Sequence, residues 1–396
     1  MINSETVFIL CNALADDVRL ERGIKTDSPA ATRKVLMMAR VLRLAGVRTT
    51  VLSLGRGRQD GTGRYFAPRV SRSQKVPILY GPLIHRPILS ELLSFWAAIP
   101  LVWARRHRAR STVILIYNRM PAYLPAIWIA RLIGYRLVLD LEDGETELQG
   151  WSPSAIKARC LTALTDRACT NGALLACRRL SRATHLQPQQ AYYGVVGSTP
   201  QSRRFNGPVI HLLLGGTVSP STGATLLVDA INILRSQNEL WSKRLHFHIT
   251  GTGESLIDFT HLAASCNQGP VVTVYGRLDN PGYEALLGQM DVGLALKPNS
   301  GPLADTTFPS KVIEMAGDGL LVLTTDISDV RSILGNAAVY LERDDPRLLT
   351  ERLRAIVDDT VKAAKIAEVG RTSVSSICSP VEAGTALRKF LFTGAI

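Results

Sequence analysis

Val209-Ile-His-Leu-Leu-Leu-Gly-Gly-Thr-Val-Ser-Pro-Ser-Thr-Gly223 is the stretch on which the fold class turns. Val209–Leu214 is a short aliphatic run, the pattern of a strand covered on both faces. It stops at two glycines, and a helical stretch, Thr222–Arg235, follows. Strand, glycine turn and helix in that order make a βαβ unit of a parallel sheet. The plan recurs downstream at His246–Thr250, Val271–Tyr275, Val292–Leu296, Leu320–Thr324 and Ala338–Leu341, with Pro281–Gln289 as a further helix.

The upstream half follows the same rule. Val7–Cys11, Thr49–Leu54, Val76–Tyr80, Thr112–Tyr117 and Arg136–Leu141 read as buried strands. Between the first two, Ser28 stands as an N-cap, Pro29 at the first helical position, and Gly46 closes a helix over Pro29–Ala45. The expected architecture is α/β, with two Rossmann-like doubly wound domains facing across a cleft. Gly197–Gly207 has no apolar period and is read as the linker, which gives domains over 1–200 and 201–378. After a Ser- and Gly-containing break at Gly370–Ser379, a last helix over Val381–Phe392, within 379–396, is expected to return to the first domain.

The chain of 396 residues suits two domains with real cores, and 46% apolar with 20% charged residues is the composition of a globular protein. Six cysteines in no metal-like spacing fit a reduced compartment. The start has no basic leader, and no uncharged apolar run reaches 18 residues, so a cytoplasmic protein without a spanning helix is expected. Charge is unevenly placed. Residues 1–205 hold 30 Lys and Arg against 13 Asp and Glu, whereas 206–396 hold 16 against 20. The first half therefore faces an anion, whether headgroups, a lipid phosphate, an acidic polymer or nucleic acid. Nucleic acid is the less favoured of these, since only 6% of residues are aromatic and no stacking platform is interleaved with the charge.

In open α/β sheets ligands bind beyond the carboxyl ends of the strands. Five segments stand there in the second half: Gly215–Gly223, Gly251-Thr-Gly-Glu254, Gly276-Arg-Leu278, Lys297–Gly301 and Phe308-Pro-Ser-Lys-Val-Ile-Glu314. Glycine turns that lead into helix N-termini suit a pyrophosphate. The order of these segments, continued by Met315-Ala-Gly-Asp-Gly319 and Val322-Leu-Thr-Thr-Asp326, resembles the nucleotide-sugar domain of the family 4 glycosyltransferases, which have the GT-B fold. The resemblance is strong over Val209–Leu341 and loose before it. It implies sugar transfer from a nucleotide diphosphate sugar, usually with retention, and no bound metal or other cofactor.

Carried over by position, Glu314 matches the carboxylate that bridges the donor ribose hydroxyls. Gly276, Arg277 and Leu278 match the turn that reads the base, and Phe308, Pro309 and Ser310 match the loop along phosphates and sugar. Gly215, Gly216, Thr222, Gly251 and Gly253 complete the donor set. Departures are plain. The first carboxylate of the family's pair falls at Thr306, with Asp305 beside it, and the basic pair falls at Gly216 and Thr222. Either Lys297, Lys311 or an arginine of the first domain supplies the missing charge, or the chain is a degenerate binder of nucleotide sugar or carbohydrate that does not turn over.

In the first half, Asp140-Leu-Glu-Asp143 ends a strand. A D-x-[DE] cluster can hold Mg²⁺, but Glu142 and Asp143 are read here as groups that orient an acceptor. The charged loop after the first strand offers Asp16, Asp17, Arg19, Arg22 and Lys25 as acceptor contacts. His246 and His248 alternate in one strand and are read as packed rather than ligating. No G-x-S-x-G elbow is present, which removes the serine-elbow hydrolases. Leu92–Trp103, followed by Arg105–Arg110, has the makeup of an interfacial segment. The acceptor expected from this is a glycan or lipid-linked glycan, met at the inner face of the cell membrane.

Overall fold

The computed structural model describes residues 5–57, 62–143, 151–197, 204–265, 269–300, 304 and 306–394. The chain divides into two units, Met1–Gly194 with Pro380–Ile396, and Val195–Ser379. Each has a sheet that is parallel, or parallel but for one edge strand, with helices on both faces, the expected α/β plan.

The first unit runs β1 (Thr6–Cys11), α1 (Asp16–Glu21), α2 (Pro29–Leu44), β2 (Arg48–Ser53), β3 (Tyr65–Phe66), β4 (Arg69–Ser73), β5 (Val76–Tyr80) and β6 (Leu83–Ile84). It continues through α3 (Pro87–Trp103), β7 (Thr112–Tyr117), α4 (Leu124–Ile133), β8 (Arg136–Leu141), α5 (Pro153–Ala168), β9 (Ala173–Leu175) and β10 (Gln189–Ala191). Its main sheet has the order β10-β9-β8-β7-β1-β2-β5-β4, in which β4 alone is antiparallel. The Ser28 hydroxyl accepts from the Ala31 amide and Pro29 opens α2, as the cap rule requires.

The second unit runs β11 (Ile210–Thr217), α6 (Ala224–Gln237), β12 (Leu245–Thr252), α7 (Leu256–Ala264), β13 (Val271–Gly276), α8 (Asn280–Leu287) and β14 (Val292–Ala295). Then come α9 (Lys311–Gly317), β15 (Leu321–Thr325), α10 (Val330–Leu334), β16 (Val339–Leu341), α11 (Pro346–Asp358) and α12 (Thr360–Cys378). The last helix, α13 (Pro380–Thr393), belongs to the first unit and packs on α2. The all-parallel sheet has the order β13-β12-β11-β14-β15-β16. One face is buried by Leu212, Leu214, Phe247 and Ile249 against Leu227, Ile231 and Phe259.

The structure departs from the sequence expectation in several places. Of the break expected at Gly370–Ser379, all but the last residue is continuous helix in α12, which ends at Cys378 with Ser379 as its C-cap. Gly370 sits in it because a methyl there would stand 2.9 Å from the Ala337 carbonyl oxygen, so the glycine marks close packing rather than a stop. Arg204, at the edge of the stretch read as linker, is built into the second unit. Its guanidinium donates to the carbonyls of Leu287, Gly288, Met290 and Asp318. Residues 198–203 of that stretch lie outside the described residues. The short strands β4, β9 and β10 have no apolar run long enough to announce them. Among the described residues, no helix is long and apolar enough to cross a membrane.

The α13–α2 contact is tested at Gly384, where a methyl would stand 2.5 Å from the Val41 carbonyl oxygen. A mid-helix Gly→Ala change ordinarily stabilises by about 1 kcal/mol. Here Gly384→Ala is expected to destabilise the protein, by about 1–3 kcal/mol of overpacking, as read by the urea midpoint.

Candidate active site

The second unit places its glycine segments at the carboxyl ends of β11, β12 and β13. Gly215 pairs with Thr250, Gly216 with Gly251 and Thr217 with Thr252, so two glycine segments expected as turns are the last rungs of strands. Gly251, at φ +123°, has no room for a side chain, because a Cβ would collide with the Gly216 carbonyl. At Gly253 the obstacle is the Val218 carbonyl, and at Gly223 it is that of Leu296. These three glycines serve the approach of backbone to backbone.

Gly216 differs. At φ +98° it faces a cation: a methyl built there would collide with the Lys311 ammonium and with no backbone atom. A methyl on Gly215 would stand 3.7 Å from the same Nζ and 3.5 Å from the Tyr283 ring. Lys311 is the first residue of α9 and is half-buried; Glu314, one turn on, is half-buried too. Phe308 and Pro309 are half-buried and Ser310 is exposed in the segment that leads into the helix. Lys297 donates to the Thr307 hydroxyl, and its carbonyl accepts from Thr325 Oγ1, which ties β14's exit to this segment. Arg277 is exposed and Leu278 half-buried beyond β13. Thr306 is half-buried, and Asp305 lies outside the described residues.

Thr222 does not point a group at a phosphate. Its hydroxyl donates to the Thr217 carbonyl at 2.7 Å and accepts from the Ser219 amide at 3.1 Å, closing the turn before α6. That is the work of a capping residue.

In the first unit, the feature that sequence reasoning missed is Lys34. It stands on α2 one turn before Met38, on the buried stripe of the helix, and that misplaced charge is the signal that would have found it. Its ammonium donates to Asp140 Oδ1 at 3.0 Å and to Glu142 Oε1. The Tyr117 and Tyr192 rings lie 5.7 and 5.3 Å from Nζ. Asp140 is fully buried, and burial pushes its carboxyl up, to about 7; Glu142 acts in the same sense, and Lys34 opposes both. The D-x-[DE] pair therefore encloses an ammonium. Asp143 is exposed at the strand's exit.

The charged loop expected to contact an acceptor contains α1. Arg22 is 2% exposed, donates to the Gly55 and Gly81 carbonyls at 2.9 Å each, and lies over Tyr80. It pins the ends of β2 and β5, so its expected acceptor contact is corrected to a structural one. Asp17 accepts from Arg69 and Ser71 at 3.2 Å. Asp16 pairs with Arg19, and Lys25 is exposed.

The family model of the glycosyl transferases group 1 matches residues 209–359. No curated protein sequence matches the chain. Among solved structures, HepE of Anabaena in complex with UDP and glucose is 14% identical, with a TM-score of 0.66 over 98% of this chain and 100% of that one. The UDP-forming trehalose-phosphate synthase of Burkholderia xenovorans, in complex with glucose-6-phosphate, is 10% identical with a TM-score of 0.65, covering 98% and 99%. Sucrose-phosphate synthase of Thermosynechococcus elongatus is 13% identical with a TM-score of 0.61, covering 98% and 100%. The fold is therefore GT-B, with two Rossmann-like domains. Within that fold, the match to the glycosyl transferases group 1 is carried by residues 209–359 of the second unit.

The Lys34 cluster generates a stability prediction. Lys34→Met leaves two carboxylates facing each other without their cation, and breaking a buried pair costs about 3–5 kcal/mol. The double variant Lys34→Met with Asp140→Leu is expected to recover most of that loss in denaturant titrations. Equal instability of the single and double variants would show that the pair is not what Lys34 holds together.

Proposed function

We propose that the protein transfers a sugar from a nucleotide diphosphate sugar to a glycan or lipid-linked acceptor, with retention of anomeric configuration. The observation that carries this reading is the Lys311 ammonium against Gly215 and Gly216, one helical turn from Glu314. Where the family pattern has a cation on residue 216, this chain has a glycine and fills the vacated space from α9. A point charge at that end of the sheet suits a diphosphate, and Glu314 can accept from two ribose hydroxyls at once.

The test is titration of the full chain with UDP, GDP and dTDP. Glu314→Gln keeps the volume and loses the charged acceptor, and is expected to weaken nucleotide binding by about 1.5–3 kcal/mol. Lys311→Met should lose affinity for the diphosphate while retaining the nucleoside's contribution. Since Lys311 supplies the cation, added Mg²⁺ should leave nucleotide affinity unchanged. Unchanged affinity in folded Glu314→Gln and Lys311→Met proteins would remove both from the site. A donor that binds without hydrolysis or transfer, across a panel of acceptors, would support the second reading suggested by Thr306, a binding protein that has lost turnover.

The acceptor side rests on α3. This helix runs unbroken through Pro100 and exposes Ile88, Leu92, Trp96 and Trp103 on its surface. Arg105, Arg106, Arg108 and Arg110 follow at once, all exposed, with Arg106 over the Trp103 ring. Aromatic rings at headgroup depth beside arginines are how a protein lies on an anionic membrane. We therefore read the attachment as peripheral, at the cytoplasmic face, with a lipid-linked glycan as acceptor. The wild type is expected to sediment with phosphatidylglycerol vesicles at low salt and to leave them at high salt. Replacing the four arginines by glutamine should abolish the binding. Indifference of the wild type to such vesicles would point to a soluble acceptor.

A further inference from the structure

A cluster unrelated to the donor turns lies near the opposite end of the same sheet. His211 is the second residue of β11 and His246 the second of β12, and the parallel register pairs them directly. His248 follows His246 on the same face, because side chains two residues apart in a strand share a face. Each of the three offers a ring nitrogen within 4.8 Å of the others. His211 Nδ1 and His248 Nε2 are 2.9 Å apart, and the rings of His246 and His248 lie 4.0 Å centroid to centroid.

Two features distinguish this from ordinary packing. First, the face is open: His211 and His246 are only half-buried, and Val271 and Tyr275 on the adjoining edge strand β13 are exposed, so an ion and its waters can reach the nitrogens. Second, outer partners already fix two rings. His248 Nδ1 meets Tyr275 Oη at 2.9 Å, and His246 Nε2 meets Thr273 Oγ1 at 2.8 Å. A hydrogen bond at one ring nitrogen sets which nitrogen is left as a ligand, the arrangement found around metal-bound histidine.

We propose that His211, His246 and His248 bind one divalent transition-metal ion of the zinc class, with solvent completing the coordination. Three imidazoles with open positions suit zinc, nickel or copper and disfavour magnesium or calcium, which want oxygen ligands. The ion bridges β11 and β12 directly and β13 through Tyr275. Its role is to fasten the edge of the sheet. His246 and Gly251 are about 16 Å apart along the strand at ~3.3 Å per residue, so the ion stands away from the diphosphate segment.

The test uses the full chain without a histidine tag, stripped with chelator and titrated calorimetrically with Zn²⁺ alone in a non-coordinating buffer. One saturable ion per chain is expected, with a rise in melting temperature on loading. His211→Gln and His246→Gln, chosen because both side chains are half-buried, should each lower affinity by ~10-fold or more. His261→Gln, an exposed histidine on α7, should leave it unchanged. Cobalt loading should give the visible spectrum of a low-coordinate nitrogen site, absent from both triad variants. Absence of a one-to-one Zn²⁺ isotherm in the folded wild type would overturn the proposal. So would equal affinity in folded His211→Gln, His246→Gln and His261→Gln proteins.

Discussion

The constraint on which the second unit's architecture depends is the approach of backbone to backbone where β11 and β12 end. Gly251 can lie beside the Gly216 carbonyl only without a side chain, and Gly253 and Gly223 are held to the same condition by Val218 and Leu296. Hydrogen-only positions let both strands run three residues past their aliphatic runs, to Thr217 and Thr252. The surface left at that end is bare backbone, and any charge there must come from another element. Lys311, the first residue of α9, is the cation that reaches it. Gly216 and Lys311 are thus one structural fact: a side chain growing from β11 at 216 would occupy the space that the Lys311 side chain fills from α9.

The first unit solves a different electrostatic problem. Asp140 is carried into the core by β8, whose neighbours are aliphatic, and an isolated carboxylate there would be costly. Lys34 meets it from α2 and is shared with Glu142. A cation already lies between the two carboxylates that a metal-dependent reading of D-x-[DE] would require, so the pair has the chemistry of a buried ion pair. Arg119 and Asp166 repeat the device with a two-pronged contact at 2.9–3.1 Å.

Much of this was legible in the sequence wherever one physical effect dominated. Buried parallel strands announce themselves as aliphatic runs, and the Ser28-Pro29 start of α2 follows from capping alone. The sequence was misleading where a residue type has two uses. Gly370 looked like a stop and is a packing residue inside α12. Thr222 looked like a vacant phosphate position and is a cap, and Arg22 looked like a loop charge and is buried against two carbonyls. Lys34 left a trace in the sequence, a charge on the buried stripe of α2, but its partners on β8 did not. The His211–His246 pairing depends on register between strands far apart in sequence, and periodicity within one element does not report that.

The charge asymmetry between the two halves also changes meaning once side chains are placed. Part of the excess in the first half is internal: Lys34 and Arg119 are paired with carboxylates, and Arg22 is buried against carbonyls where no partner can contact it. The remainder is not spread evenly. Arg105, Arg106, Arg108 and Arg110 follow directly on the helix that exposes Trp96 and Trp103, so positive charge and exposed apolar area coincide on one part of the unit. Charge alone would suit any polyanion. Charge joined to exposed aromatic and aliphatic area suits a surface with anionic groups above hydrocarbon, and that coincidence is what supports the proposed membrane attachment over a nucleic-acid partner.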